Sequence, residues 1–455
     1  MKNYLRYTLY LMFMVVGALL IMGWLPKFTI GGHTTRKVDI LSDLREKKVI
    51  VEDTTYLDSI IPQPKPVFID TCKTGVTCIE DYSDSTARGM APFYEALSRR
   101  DTMNRPVRIA YYGDSFIEAD IMTSDLRSML QSEYGGSGMG YTPVSYSMTE
   151  FRPTVKQSFD GWDAHSKIDS IGFINKYQDI SGHYAFLSDS TAFTLLHGVK
   201  KYAAHLDTCT TSSFYFRTYG TTNLSASVNG RIARSFLVSG KGELQKESVN
   251  GKIGSVLWTV SHSDSATFYG ISMESYPGLC LDNFSIRGSS GIHLNQIPLQ
   301  TYLDFHQLRK YDLIVLQFGL NITAHRVLDY TKYKNQMKTV IDHLKEAFPE
   351  AGILLIGIGD RENTTDNGEL HTLPEVKALI RFQQAIAAEN HIAFYNLYNA
   401  MGGEGSIVKM VEKGQANRDY THINFKGGKQ IAGILFESLK YGQEQYERRK
   451  AYERE

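Results

Sequence analysis

The chain has 455 residues, with 49 Lys plus Arg against 49 Asp plus Glu, so its formal net charge is zero. No basic surplus suits a nucleic-acid or other polyphosphate partner, and nucleic acid is excluded as an expected ligand. With 42% hydrophobic and 22% charged residues the composition is that of a folded protein, longer than one compact core usually organises, which implies two domains or one domain with a large insertion.

At the N-terminus, Lys2 and Arg6 precede a nearly charge-free run from Tyr7 to Leu25. About 20 such residues suffice to cross a hydrocarbon core, so residues 1–26 are expected to form a transmembrane helix. No small-x-small site stands around Met22-Gly-Trp-Leu-Pro26, which favours an uncleaved anchor over a cleaved signal peptide. Either way the bulk of the chain is exported, and basic residues ahead of the run favour a cytoplasmic N-terminus, although Lys27, Arg36 and Lys37 oppose that vote.

Residues 27–105 lack a sustained period. Ile60-Ile-Pro-Gln-Pro-Lys-Pro66 reads as an extended linker and Ala91 to Arg99 as a short helix, so this stretch is taken as linker and collar. Cys72 and Cys78 are close enough in sequence to close a small loop, whereas Cys209 and Cys280 pair only if the fold brings them together; four cysteines allow three connectivities. No histidine stands at ligand spacing from the close pair, which argues against zinc.

From Val107 the pattern becomes strand then helix. The apolar run beginning at Arg108 ends abruptly in Gly113-Asp114-Ser115, and Met122, Leu126, Met129 and Leu130 then recur at helical spacing until Gly135-Gly136. Residues 141–282 have a different texture: short alternating runs such as Ser213-Phe-Tyr-Phe-Arg217 and Ser255-Val-Leu-Trp-Thr-Val260 are separated by Gly, Ser, Asn and Asp. That texture predicts an inserted all-β sandwich, serving as spacer, lid or carbohydrate-recognition module.

Strand and helix alternation then resumes over residues 283–442. Asp312 to Phe318, Gly352 to Gly357 and His391 to Asn396 are the mostly apolar runs expected of parallel strands covered on both faces. Tyr333, Met337, Ile341, Leu344 and Phe348 form one helical stripe, Val376, Leu379, Ile380 and Ile386 another behind Pro374, and Ile431, Ile434, Leu435 and Leu439 the closing helix. With residues 106–140 these make a three-layer, doubly wound α/β sheet interrupted by the β module. Residues 443–455, charged with both signs, read as a solvated helical tail.

Functional residues of such a sheet gather at the carboxyl ends of its strands. Ser115 follows the first strand with its hydroxyl free to act as nucleophile. Asp419-Tyr-Thr-His422 precedes the closing helix, where Asp419 can hold the His422 imidazole so that it acts as base. Asn321, just after the strand ending at Phe318, offers a side-chain donor, and Gly288, where the β module returns to the sheet, offers a backbone amide; both suit a developing oxyanion, as does the amide of Ser115. Taken singly, each of these is also ordinary turn chemistry. The histidines His165, His183, His197 and His205 form no ligand-spaced cluster, and with His371 and His391 they read as surface or core residues.

In combination and in this order, Gly113-Asp114-Ser115, Gly288, Gly319-Leu-Asn321 and Asp419-Tyr-Thr-His422 resemble the successive blocks of the SGNH (GDSL-type) hydrolase superfamily. The resemblance covers Val107 to about Gly138 and about Asp282 to Gly442. The insertion between the first two blocks and Asn399-Ala-Met-Gly-Gly-Glu-Gly-Ser406 look like the exported peptidoglycan O-acetylesterases of Gram-negative bacteria. Phe116 departs from them, since such enzymes often carry histidine after the serine. The resemblance implies an SGNH-type serine esterase, anchored with its body in the periplasm, that removes O-acetyl groups from an envelope glycan, peptidoglycan foremost. Its triad is Ser115, Asp419 and His422, its oxyanion hole Ser115, Gly288 and Asn321, and it needs no metal or organic cofactor. The rival implied by the same triad is an O-acetyltransferase working with a membrane-bound acyltransferase partner, and a third reading is a non-catalytic glycan-binding protein.

Overall fold

The computed structural model describes residues 2–24, 29–30, 33–34, 72–83, 89–169, 171–200, 202–203, 205–364 and 370–452. The chain divides into two compact units, residues 1–57 and 58–455. The first holds the helix Lys2–Trp24 and a two-stranded antiparallel pair, Thr29–Ile30 with His33–Thr34. Large apolar side chains on that helix, among them Leu11, Phe13 and Met14, are exposed. Among the described residues no helix is long and apolar enough to cross a membrane, and the transmembrane helix expected over residues 1–26 stays an expectation from sequence. The expected linker Ile60 to Pro66 lies outside the described residues.

The second unit is built on a six-stranded sheet. Its strands in chain order are β1 (Glu80–Asp81), β2 (Val107–Gly113), β3 (Leu279–Ser285), β4 (Leu313–Gln317), β5 (Gly352–Ile356) and β6 (Ala393–Tyr395). Their spatial order is β3-β2-β4-β5-β6-β1; all are parallel except β1, which runs antiparallel to β6. Every residue of β2, β4 and β5 is buried, because helices cover both faces and leave no position for a polar alternation.

On one face Ile109, Tyr111, Leu281, Val315, Leu354 and Ile356 pack with Phe93 and Leu97 of the helix Ala91–Arg99, Leu126 and Leu130 of Thr123–Tyr134, and Ile431 and Leu435 of Phe425–Tyr452. Toward the other face the rings of Tyr112, Phe284, Tyr311, Phe348 and Tyr302 touch in succession and lead to the helix Leu299–Leu308, beside which lie Thr331–Ala347 and Pro374–Glu389. The result is a mixed α/β fold with a covered parallel sheet.

Between β2 and β3 the chain leaves the sheet and forms two antiparallel sheets. One contains Leu244–Ile253, Cys209–Thr218, Ala266–Glu274, His183–Leu187 and Trp162–Ser166, with Gly140–Pro143 also pairing with Ala266–Glu274; the other contains Arg234–Ser239, Thr221–Val228, Ser255–Ser263, Ala192–Gly198 and Val155–Asp160. Phe214, Phe216, Leu224, Trp258 and Phe268 fill the space between them, and buried and half-buried residues alternate along Thr221–Ala226 as a two-layer sandwich requires. A buried ionic seam joins its last strand to the central sheet: Glu274 meets Arg108 at 2.8 Å and Arg309 at 3.0 Å, and Arg309 meets Asp282 at 2.8 Å.

Three boundaries differ from the sequence reading. The module ends before Leu279 and not at Asp282, because Leu279–Ser285 is β3 and pairs in parallel with β2; Asp282 looks like a loop residue only until its buried partners Arg309 and Tyr311 are seen. Part of the stretch taken as linker and collar supplies β1 and the helix Ala91–Arg99, both integral to the body. The tail from Gln443 continues the closing helix to Tyr452 and is not simply solvated: Gln443 is buried and bonded to Ser98, and Tyr446 packs against Tyr94. Cys72 and Cys78 form a disulfide, whereas Cys209 and Cys280 are free and buried.

Candidate active site

The site begins with the register of three neighbouring strands. Gly113 at the end of β2 is level with Ser285 of β3 on one side and Gln317 of β4 on the other, so the loops after all three leave the sheet together. The insertion therefore does not separate Ser115 from the loop that carries Gly288. At Gly113 a Cβ would lie 2.8 Å from the Ile117 side chain and 3.1 Å from the Gln317 carbonyl, so only glycine lets the chain turn here.

Ser115, partly exposed after this turn, has its Oγ 3.3 Å from His422 Nε2. His422 Nδ1 lies 2.8 Å from Asp419 Oδ2, while Asp419 Oδ1 accepts the backbone N–H groups of Thr421 and His422, both at 3.0 Å. The carboxylate thus stays ionised. Burial raises its pKa, but the His422 amide and imidazole and the Thr421 amide outweigh that and hold it below the ordinary carboxylate value. An ionised Asp419 keeps the proton on Nδ1 and turns the Nε2 lone pair toward the serine hydroxyl. Both partners are accessible, with 43% of the His422 and 48% of the Asp419 side chain exposed. Tyr420 between them is left-handed (φ 50°), which bends the loop so that Asp419 faces the histidine three residues on.

Asp114 is buried and does work that its motif does not advertise. Its Oδ1 accepts the Phe116 N–H at 2.9 Å, its Oδ2 lies 3.3 Å from Asn321 Nδ2, and the amides of Leu320 and Gly319 also bond to it. Burial pushes its pKa up to about 6, against the opposing pull of those amides and of His422. One carboxylate therefore ties the serine turn to the loop that carries Asn321. Asn321 Nδ2 also donates to the Ser289 carbonyl at 3.0 Å, which fixes it beside the loop of Gly288. Gly288 is exposed and left-handed (φ 76°), and its N–H meets no backbone carbonyl among the described residues.

All five residues expected from sequence therefore join one bonded circuit, directly or through an adjacent residue: Gly288 through Ser289, then Asn321, Asp114 with Ser115, His422 and Asp419. Sequence reasoning missed the braces around it. Glu118, buried three residues after the serine, takes both Nε and Nη2 of Arg287, the residue before Gly288. Ser289 Oγ lies 2.7 Å from Nδ1 of the half-buried His293. Burial and the Lys167 charge lower the pKa of this histidine to about 4, which keeps it neutral. Position next to Gly288 is the one signal that could have pointed to Arg287 and Ser289. Among the described residues no group of three His, Cys, Asp or Glu is placed to hold a metal ion.

Neither a family model nor a curated protein matches the chain. Among solved structures, a peptidoglycan O-acetylesterase superposes with a TM-score of 0.65 at 20% identity, over 81% of this chain and 99% of that one. The chain shares its fold with that structure. The match spans nearly all of that esterase's length, so the α/β body and the sandwich are both part of the shared fold. A family two carbohydrate esterase from Cellvibrio japonicus (8% identity, 64% of this chain and 99% of that one, TM-score 0.25) and a salicylyl-acyltransferase from a tetracycline biosynthetic pathway (12%, 66% and 98%, 0.29) are too distant to bear on it.

Proposed function

We propose that the protein is a carbohydrate O-acetylesterase that releases acetate from an envelope glycan, with peptidoglycan as the substrate. The observation that carries this reading is the relay from Ser115 Oγ through His422 to Asp419, at 3.3 and 2.8 Å, at the carboxyl ends of the central strands. Ser115 Oγ attacks the acetyl carbonyl while His422 Nε2 takes its proton; the imidazolium is stabilised by Asp419. The tetrahedral oxyanion is met by the amides of Ser115 and Gly288 and by Asn321 Nδ2, which exchanges its long contact with Asp114 for the new charge. The bond from the acetyl carbon to the sugar oxygen breaks, His422 returns the proton to that oxygen, and an acetyl-serine remains. Water, deprotonated by His422, then attacks this ester; the bond from the acetyl carbon to Ser115 Oγ breaks, His422 returns the proton to Oγ, and acetate is freed. Export of the body, tethered by the run from Tyr7 to Leu25, would place it beside such a glycan.

The test is acetate release from O-acetylated peptidoglycan by the purified full chain and by Ser115→Ala. Loss of release in the variant is expected, and wild-type turnover without the serine would reject the mechanism. Adding an acetyl donor and an unacetylated oligosaccharide separates the rival transferase, because acetylated sugar in excess of free acetate would overturn hydrolysis as the reaction.

A further inference from the structure

The loop that carries Ser115 is strained, and it is clamped from three sides. Between the serine and the helix Thr123–Tyr134 the chain makes a short turn, Glu118–Asp120, in which Ala119 (φ 52°) and Asp120 (φ 63°) are both left-handed. Such residues are strained and persist only where the surroundings over-determine them.

The surroundings centre on the fully buried Asp120 carboxylate. Its Oδ1 accepts Thr123 Oγ1 at 2.7 Å and Asn283 Nδ2 at 2.9 Å; Arg127 reaches Oδ2 through Nη1 at 3.1 Å and Oδ1 through Nη2 at 3.3 Å. Arg152 donates its Nε–H to Oδ2 at 2.9 Å, and its Nη2 lies 2.8 Å from the same oxygen without making a hydrogen bond. Asn283, on β3, also donates to the Ile117 carbonyl at 2.7 Å, so it holds the loop on both sides of Glu118. Arg127 belongs to the helix that follows the loop and is anchored in turn on the Leu281 carbonyl at 2.8 Å. Arg152 alone comes from the inserted sandwich, directly after the turn Ser147–Phe151, which packs on Glu118–Asp120.

Charge makes Arg152 the informative member. One guanidinium neutralises one carboxylate, and Arg127 is already there with no exposed surface. A second buried guanidinium adds a desolvation cost that the pairing only partly repays. Neutralising Asp120 does not account for it; the geometry it imposes on the loop does.

We propose that Arg152 is a positioning residue through which the inserted sandwich holds the Ser115 loop in register with His422, making the sandwich a working part of the catalytic centre. This rests on the ester hydrolysis proposed above. Arg152→Met leaves a neutral Asp120–Arg127 pair and keeps most of the stem, while Arg152→Lys keeps the charge and loses the directed Nε–H bond. Both are read on a small soluble acetyl ester, with active sites counted by a serine-reactive probe. The expected result is a kcat per titrated site about 10- to 100-fold lower in Arg152→Met, as a displacement near 1 Å produces, with KM within about two-fold and Arg152→Lys in between. Wild-type kcat per titrated site, with only the melting temperature lowered, would overturn the proposal and leave Arg152 a structural residue. Should Arg152→Met fail to fold, Arg152→Lys decides alone by the same criterion. Ser115→Ala run in parallel separates the two readings: a silent serine variant beside fully active Arg152 variants sinks only the positioning role.

Discussion

Replacing Asp114 by Asn tests whether a buried carboxylate next to the nucleophile is maintained at a cost to the fold. Its folded pKa is about 6, raised by burial from an ordinary value near 3.8. A carboxyl raised on folding contributes stability that is full below its unfolded pKa and lost as pH rises through the folded one. At pH 8 both states are ionised and the contribution is gone; at pH 5 the folded state still holds its proton while the unfolded state has released it. That difference amounts to about 1.4 kcal/mol in favour of pH 5. Urea titrations of the wild type and of Asp114→Asn at both pH values isolate it, since every other titrating group is common to the two. The wild type is expected to gain about 1.4 kcal/mol more than the variant on going from pH 8 to pH 5. Equal pH differences in the two proteins would refute the assignment. Activity should fall as well, because keeping one oxygen on the Phe116 amide turns the new NH2 toward Asn321 Nδ2, donor against donor.

Asn321→Ala removes one oxyanion donor and also the tie to the Ser289 carbonyl, and should lower kcat by about 10²- to 10³-fold in the acetate-release assay. Gly288→Ala meets no atom within 4 Å of the new Cβ, so its cost is conformational: about 1 kcal/mol of stability by urea unfolding, with kcat reduced as the amide turns away. Asp419→Asn should favour the wrong His422 tautomer and lower kcat by about 10²-fold or more, less than the ~10⁴-fold known for a buried triad aspartate, because this one is half exposed.

The central strands were legible because helices on both faces demand unbroken apolar runs, and β4 and β5 carry them. β3 was not, because Asp282 and Asn283 interrupt its run. Their partners, Arg309 and the Ile117 carbonyl, are supplied by segments that no local pattern connects to them. β1 is two residues long, too short for any periodicity to show. The reacting groups Ser115, His422, Asp419, Asn321 and Gly288 were readable because their chemistry restricts residue type and chain order. Asp120, Arg152, Glu118 and Arg287 were not, since an ion pair is defined by its partner, and these partners are brought together only by the finished fold.

The pairing of Val107 with Leu279 has a consequence for how the molecule folds. These adjacent strands are separated by about 170 residues, most of them belonging to a sandwich with a core of its own. Loop-closure entropy grows only logarithmically, so closing ~170 residues costs about 1.5 kcal/mol more than closing ~30. A sandwich that condenses first removes even that difference, because it brings Gly140 and Glu274 close as partners in one sheet and presents the two ends of the sheet-forming chain side by side. The buried contacts of Arg108 and Arg309 with Glu274 then belong to a late docking step, and mutations there should accelerate unfolding more than they slow refolding.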